Sequence, residues 1–146
     1  MKIKVLLASF FLALGCYCHA QTVQPDERLL ERYNQEYLTN LSQNSPITLE
    51  LLNFSLDNVW YITDDNAFVD KTLPYLYFVD VNTGKESQQR VNDINDASFN
   101  IVNYYYEQDY ARPTAYRIGN TGKVLVIRSV KDITLMYNQQ KGAGHE

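Results

Sequence analysis

The chain has 146 residues with 13 Lys+Arg against 17 Asp+Glu, a net charge of −4, and no run of basic residues. An acidic domain of this kind lacks the electrostatic footprint of a nucleic-acid binder and has no attraction to anionic membranes. Its cysteines, Cys16 and Cys18, and one of its two histidines, His19, lie near the start, and the other histidine, His145, is penultimate. The body of the chain therefore lacks the residues for Ser-His-Asp or Cys-His catalysis and the usual zinc, copper and haem ligands.

Residues 1–20 read as a cleavable export signal. Lys2 and Lys4 form a positive start, and Val5 to Gly15 is an uncharged, mostly apolar stretch too short to span a bilayer. Cys18-His19-Ala20 then offers small residues at the two positions a signal peptidase reads. Cleavage would leave Gln21 as the first residue, a chain of 126 residues without cysteine, and eleven basic against seventeen acidic residues, a net charge of −6. The alternative is a lipoprotein, since Ala13-Leu14-Gly15-Cys16 is a degenerate lipidation box that would anchor the protein through Cys16.

Pro25-Asp26-Glu27 predicts a helix start, with Leu30, Tyr33, Tyr37 and Leu41 along its apolar face. Asn44-Ser45-Pro46 predicts a second start with Ser45 as cap, and Leu49, Leu52 and Leu56 share the face of the helix that follows. Asp57-Asn58 ends it, and Val59 to Thr63 has strand composition. Thr63 to Lys71 is expected to loop, Tyr75 to Val81 to form a strand, and Glu86 to Asp96 is polar and nearly patternless. Phe99 to Tyr106 fits either a strand or a helix face, and its β-branched residues and tyrosine run favour the strand. Thr114 to Ile118 and Lys123 to Arg128 flank Gly119-Asn120-Thr121-Gly122 and predict a hairpin. Ser129 with Asp132 three residues on predicts a capped last helix, with Ile133, Met136 and Tyr137 on its buried side. The expected architecture is α+β. Two N-terminal helices and one C-terminal helix pack on a small, mostly antiparallel sheet, as a single domain over 21–141 with a frayed tail at 142–146.

Two motifs invite a ligand and fail on spacing. Asn-Thr-Gly-Lys occurs at 82–85 and again at 120–123, but neither copy has the glycine spacing or the Ser/Thr after lysine of a phosphate loop. Asp80 to Glu86 alternates oxygen ligands like a calcium loop, but Gly84 falls at the fifth position and Val91 where a bidentate glutamate belongs. Both are expected to be turns, and no metal or cofactor is expected.

Tyrosine is the excess, with 12 in the chain. Tyr104, Tyr106, Tyr110 and Tyr116, beside Arg112 and Arg117, are the candidate binding residues. On a strand, Tyr104 and Tyr106 point one way and Tyr105 the other, so one set should lie near solvent. Glu107 and Asp109 follow the tyrosine run and are the candidate acid/base pair for an alternative function, glycan hydrolysis. The export signal running directly into Gln21, the short α+β body and the closing hairpin and helix resemble small exported proteins of unassigned function from Gram-negative bacteria. That resemblance implies a periplasmic or secreted location. The expected function is an accessory or binding role toward an envelope protein or polysaccharide, with no nucleic-acid partner and no membrane insertion once the signal is removed.

Overall fold

A computed structural model describes residues 22–68 and 71–143. Residues 1–20, expected to be an export signal, lie outside the described residues with Cys16, as do 144–146 of the expected tail. The order of elements is α1 (Gln35–Asn44), α2 (Pro46–Asn58), β1 (Trp60–Asp64), β2 (Tyr77–Val79), β3 (Glu86–Arg90), β4 (Tyr104–Tyr105), β5 (Thr114–Arg117), β6 (Lys123–Ile127) and α3 (Val130–Ala143). The class is α+β as expected, but the strands form two three-stranded antiparallel sheets, ordered β1-β6-β5 and β3-β2-β4.

The first predicted helix is interrupted. Glu27–Glu31 is a 3-10 turn capped by Asp26, the chain breaks at Arg32 and Tyr33, and α1 restarts where the Asn34 side chain accepts the Tyr37 N–H at 2.8 Å. The tighter turn and the break shift the phase of the apolar face. Leu29 and Leu38 are buried, whereas Leu30 and Tyr37, expected inside, are 47% and 45% exposed. A single residue, Ser45, separates α1 from α2. It makes no side-chain cap, so Pro46 alone marks that start. The stretch ahead of the 3-10 turn is tied down: Asn53 accepts the Asp26 N–H and donates to the Gln24 carbonyl, and the Ser42 hydroxyl donates to the Val23 carbonyl.

The core joins the helices to both sheets through Leu29, Leu38, Leu49, Leu56, Leu76, Leu125 and Ile127. Burying each such side chain is worth about 1.5–3 kcal/mol, against about 0–1 kcal/mol for an exposed ion pair. Apolar packing therefore dominates the stability. β6 is the central strand of its sheet, and Val124 to Ile127 are buried on both faces.

A backbone bridge joins the two sheets. The Arg117 N–H donates to the Pro74 carbonyl and the Leu76 N–H to the Arg117 carbonyl, a parallel bridge that seats Tyr75 beside Arg117. Both Asn-Thr-Gly-Lys copies are hairpin tips of the same construction. Gly84 and Gly122 have positive φ, and the Thr83 and Thr121 hydroxyls accept the N–H of Lys85 and Lys123. In the first tip Asp80 Oδ1 accepts the N–H groups of Asn82 and Thr83, which spends on the turn the oxygen a calcium loop would need. In the second tip a Cβ on Gly119 would lie 2.4 Å from the Asn92 carbonyl oxygen, so only glycine fits there, and the Asp65 N–H donates to the Gly122 carbonyl.

The polar stretch after Lys85 carries a strand that its composition conceals. β3 pairs with β2 through Tyr77↔Arg90 and Val79↔Glu86, with the register shifting between them. Residues 99–106 divide into a 3-10 turn at Ile101–Asn103 and the two-residue β4. At the end, α3 is capped as expected, the Ser129 hydroxyl donating to Asp132 and accepting its N–H. The helix continues through Ala143, past the expected boundary at 141, because Lys141 and Tyr137 both bind Glu50 of α2.

Candidate functional site

The alternation of β2 sorts its residues between two faces. Leu76 and Phe78 point inward, where Phe78 stacks on Tyr104, Tyr104 on Phe99, and Phe99 tilts against Trp60, with ring centroids 5.3, 4.8 and 4.1 Å apart. Tyr75 and Tyr77 point to the other face. Tyr77 is flanked directly by Tyr105 of β4 on one side and by Arg90 of β3 on the other. The Arg90 guanidinium carbon sits 4.5 Å from the centre of the Tyr75 ring, a cation–π distance that holds the ring in place. The outer face of the second sheet is thus a row of three half-buried tyrosines, Tyr75, Tyr77 and Tyr105, with an exposed arginine across it.

At the seam between the sheets this row runs into a recess of about 350 Å³. Tyr75 forms one wall, and the tip of the β5–β6 hairpin supplies Asn120, Lys123 and glycine backbone. Arg117 and Asp65 complete the lining. Arg117 Nη1 lies 3.4 Å from Asp65 Oδ2, with the two side chains 34% and 37% exposed. That is long for a charge-assisted pair, which normally closes to about 2.7–2.9 Å. Lys123 makes no ion pair among the described residues.

The residues singled out from sequence are not brought together. Tyr104 and Tyr116 are core residues, each 9% exposed. The Tyr116 hydroxyl accepts the Glu107 N–H at 2.7 Å. Tyr106 is half-buried near Tyr33, and burial raises its hydroxyl above the usual tyrosine range. Tyr110, 72% exposed, and Arg112 lie on a separate loop whose Asp109 and Tyr110 carbonyls accept the first N–H groups of α3. Arg117 alone adjoins the tyrosine row, across the bridge from Tyr75. Of the residues that build the row, Tyr75 and Tyr77 were signalled by the alternation Tyr75-Leu76-Tyr77-Phe78 within a strand-like run, whereas Arg90 lies in the polar stretch and Tyr105 joins the row only through the pairing of β4 with β2.

The carboxylates proposed for hydrolysis have structural surroundings. Asp109 Oδ1 accepts the N–H groups of Ala111 and Arg112, both at 2.8 Å. These backbone donors hold its carboxyl below the usual range. A glycosidase acid needs the opposite shift. The exposed Glu107 carboxylate accepts, among the described residues, a single long hydrogen bond, 3.4 Å, from the Tyr105 hydroxyl. Among the described residues no three His, Cys, Asp or Glu side chains gather as a metal site, and no helix is long and apolar enough to cross a membrane. Comparison with protein families, with curated proteins and with solved structures finds no match, so the chemistry of this face is read from its own residues.

Proposed function

We propose that this chain is an exported accessory protein of the cell envelope, which binds an envelope polysaccharide or protein through the tyrosine–arginine face of its second sheet. The observation that carries this reading is the row Tyr75, Tyr77 and Tyr105 with Arg90 across it. Tyrosine and arginine are the residues that most often anchor binding surfaces, because each offers a large apolar area and a directional polar group. Rings held by a strand pair lose little further freedom on binding. Export is supported by residues 1–20 and fits a chain with no cysteine after Cys18. A carboxylate-based hydrolase draws no comparable support, because Asp109 is spent on its own turn.

The test is retention on isolated cell-envelope material. The Tyr77→Ala/Tyr105→Ala variant is expected to lose retention while still melting in one cooperative transition, and Tyr110→Ala is expected to retain it. Equal retention of wild type and the double variant would remove the proposed face. N-terminal sequencing of the recovered protein should begin at Gln21, and a chain still carrying residues 1–20 would overturn cleavage.

A further inference from the structure

We infer that the chain pairs with a second copy of itself along the free edge of β3, antiparallel and centred on Gln88, so that one sheet runs across two molecules. β3 ends the order β3-β2-β4, and four of its five residues are exposed. An unpaired strand edge is a row of N–H and C=O groups that a second strand can bond. Just outside β3, the Lys85 carbonyl accepts the Asp80 N–H and the Val91 N–H donates to the Leu76 carbonyl, so both flanks are turned toward β2. Backbone groups alternate between the two sides of an antiparallel strand. Glu86 and Arg90, one residue inside each flank, therefore present theirs to the free side, with Gln88 midway. Ser87 to Gln89 lie across from Phe78 alone, which bows the strand outward at its centre. There the Gln89 N–H is satisfied by the Ser87 hydroxyl at 3.1 Å.

The order of side chains selects the partner. Glu86-Ser87-Gln88-Gln89-Arg90, laid antiparallel on itself about Gln88, sets Glu86 opposite the second copy's Arg90 and Arg90 opposite its Glu86. Residues directly opposite share a face, and opposite charges there attract. Both charges already lie on one face, since Glu86 is paired with Val79 and Arg90 with Tyr77, two residues apart on β2. Neither makes an ion pair among the described residues. A parallel copy in register would set like charges against each other. An edge guarded against pairing carries charge that repels a copy, most often lysine. This edge carries one charge of each sign, in the order that an antiparallel copy complements. The two-fold axis stands perpendicular to the joined sheet, so both tyrosine rows face the same side. The pairing itself does not depend on what those rows bind.

Sedimentation velocity of the purified protein over a concentration series tests this. Wild type is expected to pass from monomer to dimer as concentration rises. Glu86→Arg and Arg90→Glu each turn two attractive cross-strand pairs into two repulsive ones, and each should weaken association at least about tenfold. Mixed in equal amounts, the two single variants should dimerise again, because the edge of one is then wholly positive and that of the other wholly negative. The double variant Glu86→Arg/Arg90→Glu should dimerise as wild type does, since its order is reversed on both copies. Both positions are exposed, and recovery on mixing cannot come from misfolded chains. A wild type that stays monomeric up to millimolar concentration overturns the inference, as does a dimer that neither single reversal weakens. A dimer weakened by the reversals but restored by neither the mixture nor the double variant also overturns it, because the two charges then do not face each other across the copies.

Discussion

Tyr104 and Tyr105 are adjacent residues of identical chemistry with opposite duties. Tyr104 is sandwiched between Phe78 and Phe99, and its hydroxyl is raised in pKa chiefly by burial. Tyr105 stands on the outer face, and it is the Glu107 charge that chiefly raises its hydroxyl. Truncating a buried aromatic residue costs about 3–5 kcal/mol through lost transfer energy and the cavity left behind. Tyr104→Ala should therefore lose about that much stability in urea denaturation, and Tyr105→Ala less than about 1 kcal/mol. Similar losses from the two substitutions would contradict this division of faces. The period of two already requires that they point apart, but it does not say which one faces inward. That choice was made by packing distant in the chain, Phe78 against Tyr104 and Trp60 behind Phe99, which no local pattern reveals. For β2 the same ambiguity was smaller, because Leu76 and Phe78 are the less polar pair and mark the inner face.

At the scale of elements, boundaries set by local chemistry were legible and those set by pairing were not. The hairpin at 114–127 and the cap of α3 follow from glycine placement and from Ser129 with Asp132, and both form where expected. β3 was hidden because Glu86 to Arg90 is polar, with only Ser87 half-buried and the rest exposed. It is a strand because the tip at 81–85 returns the chain against β2, not because it buries a face. The first helix misled for a related reason: a helical spacing of apolar residues continued across Arg32 and Tyr33, where the backbone does not. Ser129 offers the sharpest test at this scale. It is fully buried, and its hydroxyl both accepts the Asp132 N–H and donates to the Asp132 carboxylate. Loss of an N-cap typically costs about 0.5–2 kcal/mol. Ser129→Ala should reach the upper half of that range, since its burial leaves the freed N–H poorly hydrated. Ser129→Thr should recover part of the loss, and a Ser129→Ala protein with unchanged urea midpoint would show that the cap contributes nothing.

For the whole molecule, the ionisable groups tie distant segments together and predict a stability plateau bounded on both sides. Arg28 reaches Asp26 at 2.8 Å and Asp57 at 2.6 Å, joining the 3-10 turn to the end of α2, while Glu50 joins α2 to Lys141 and Tyr137 of α3. The hydrogen bonds from Arg28 hold both aspartates below the usual carboxylate range, and Lys141 does the same for Glu50. A carboxyl that is more acidic folded than unfolded contributes its full stabilisation above its unfolded value, about 4, and loses it as pH falls through the lower folded value. Tyr104, Tyr106 and Tyr137 are shifted the other way, chiefly by burial. Their neutral forms are favoured in the fold, so their contribution is complete below about 10 and is lost as pH rises through the higher folded values. The Lys141 ammonium, raised by its bond to Glu50, follows the same alkaline course. Stability should therefore be level from about pH 5 to about pH 9, fall below pH 4 and fall again above pH 10. The acid limb should be shallow, because Asp26 and Asp57 are 32% and 63% exposed and solvent screens their pairing. Urea midpoints at pH 7, 3 and 10.5 test the curve. Asp57→Asn should flatten the acid limb and leave the alkaline limb intact, whereas Tyr106→Phe should reduce the alkaline limb alone. A midpoint at pH 3 equal to or above that at pH 7 would mean that the ties through Arg28 and Glu50 do not stabilise the fold.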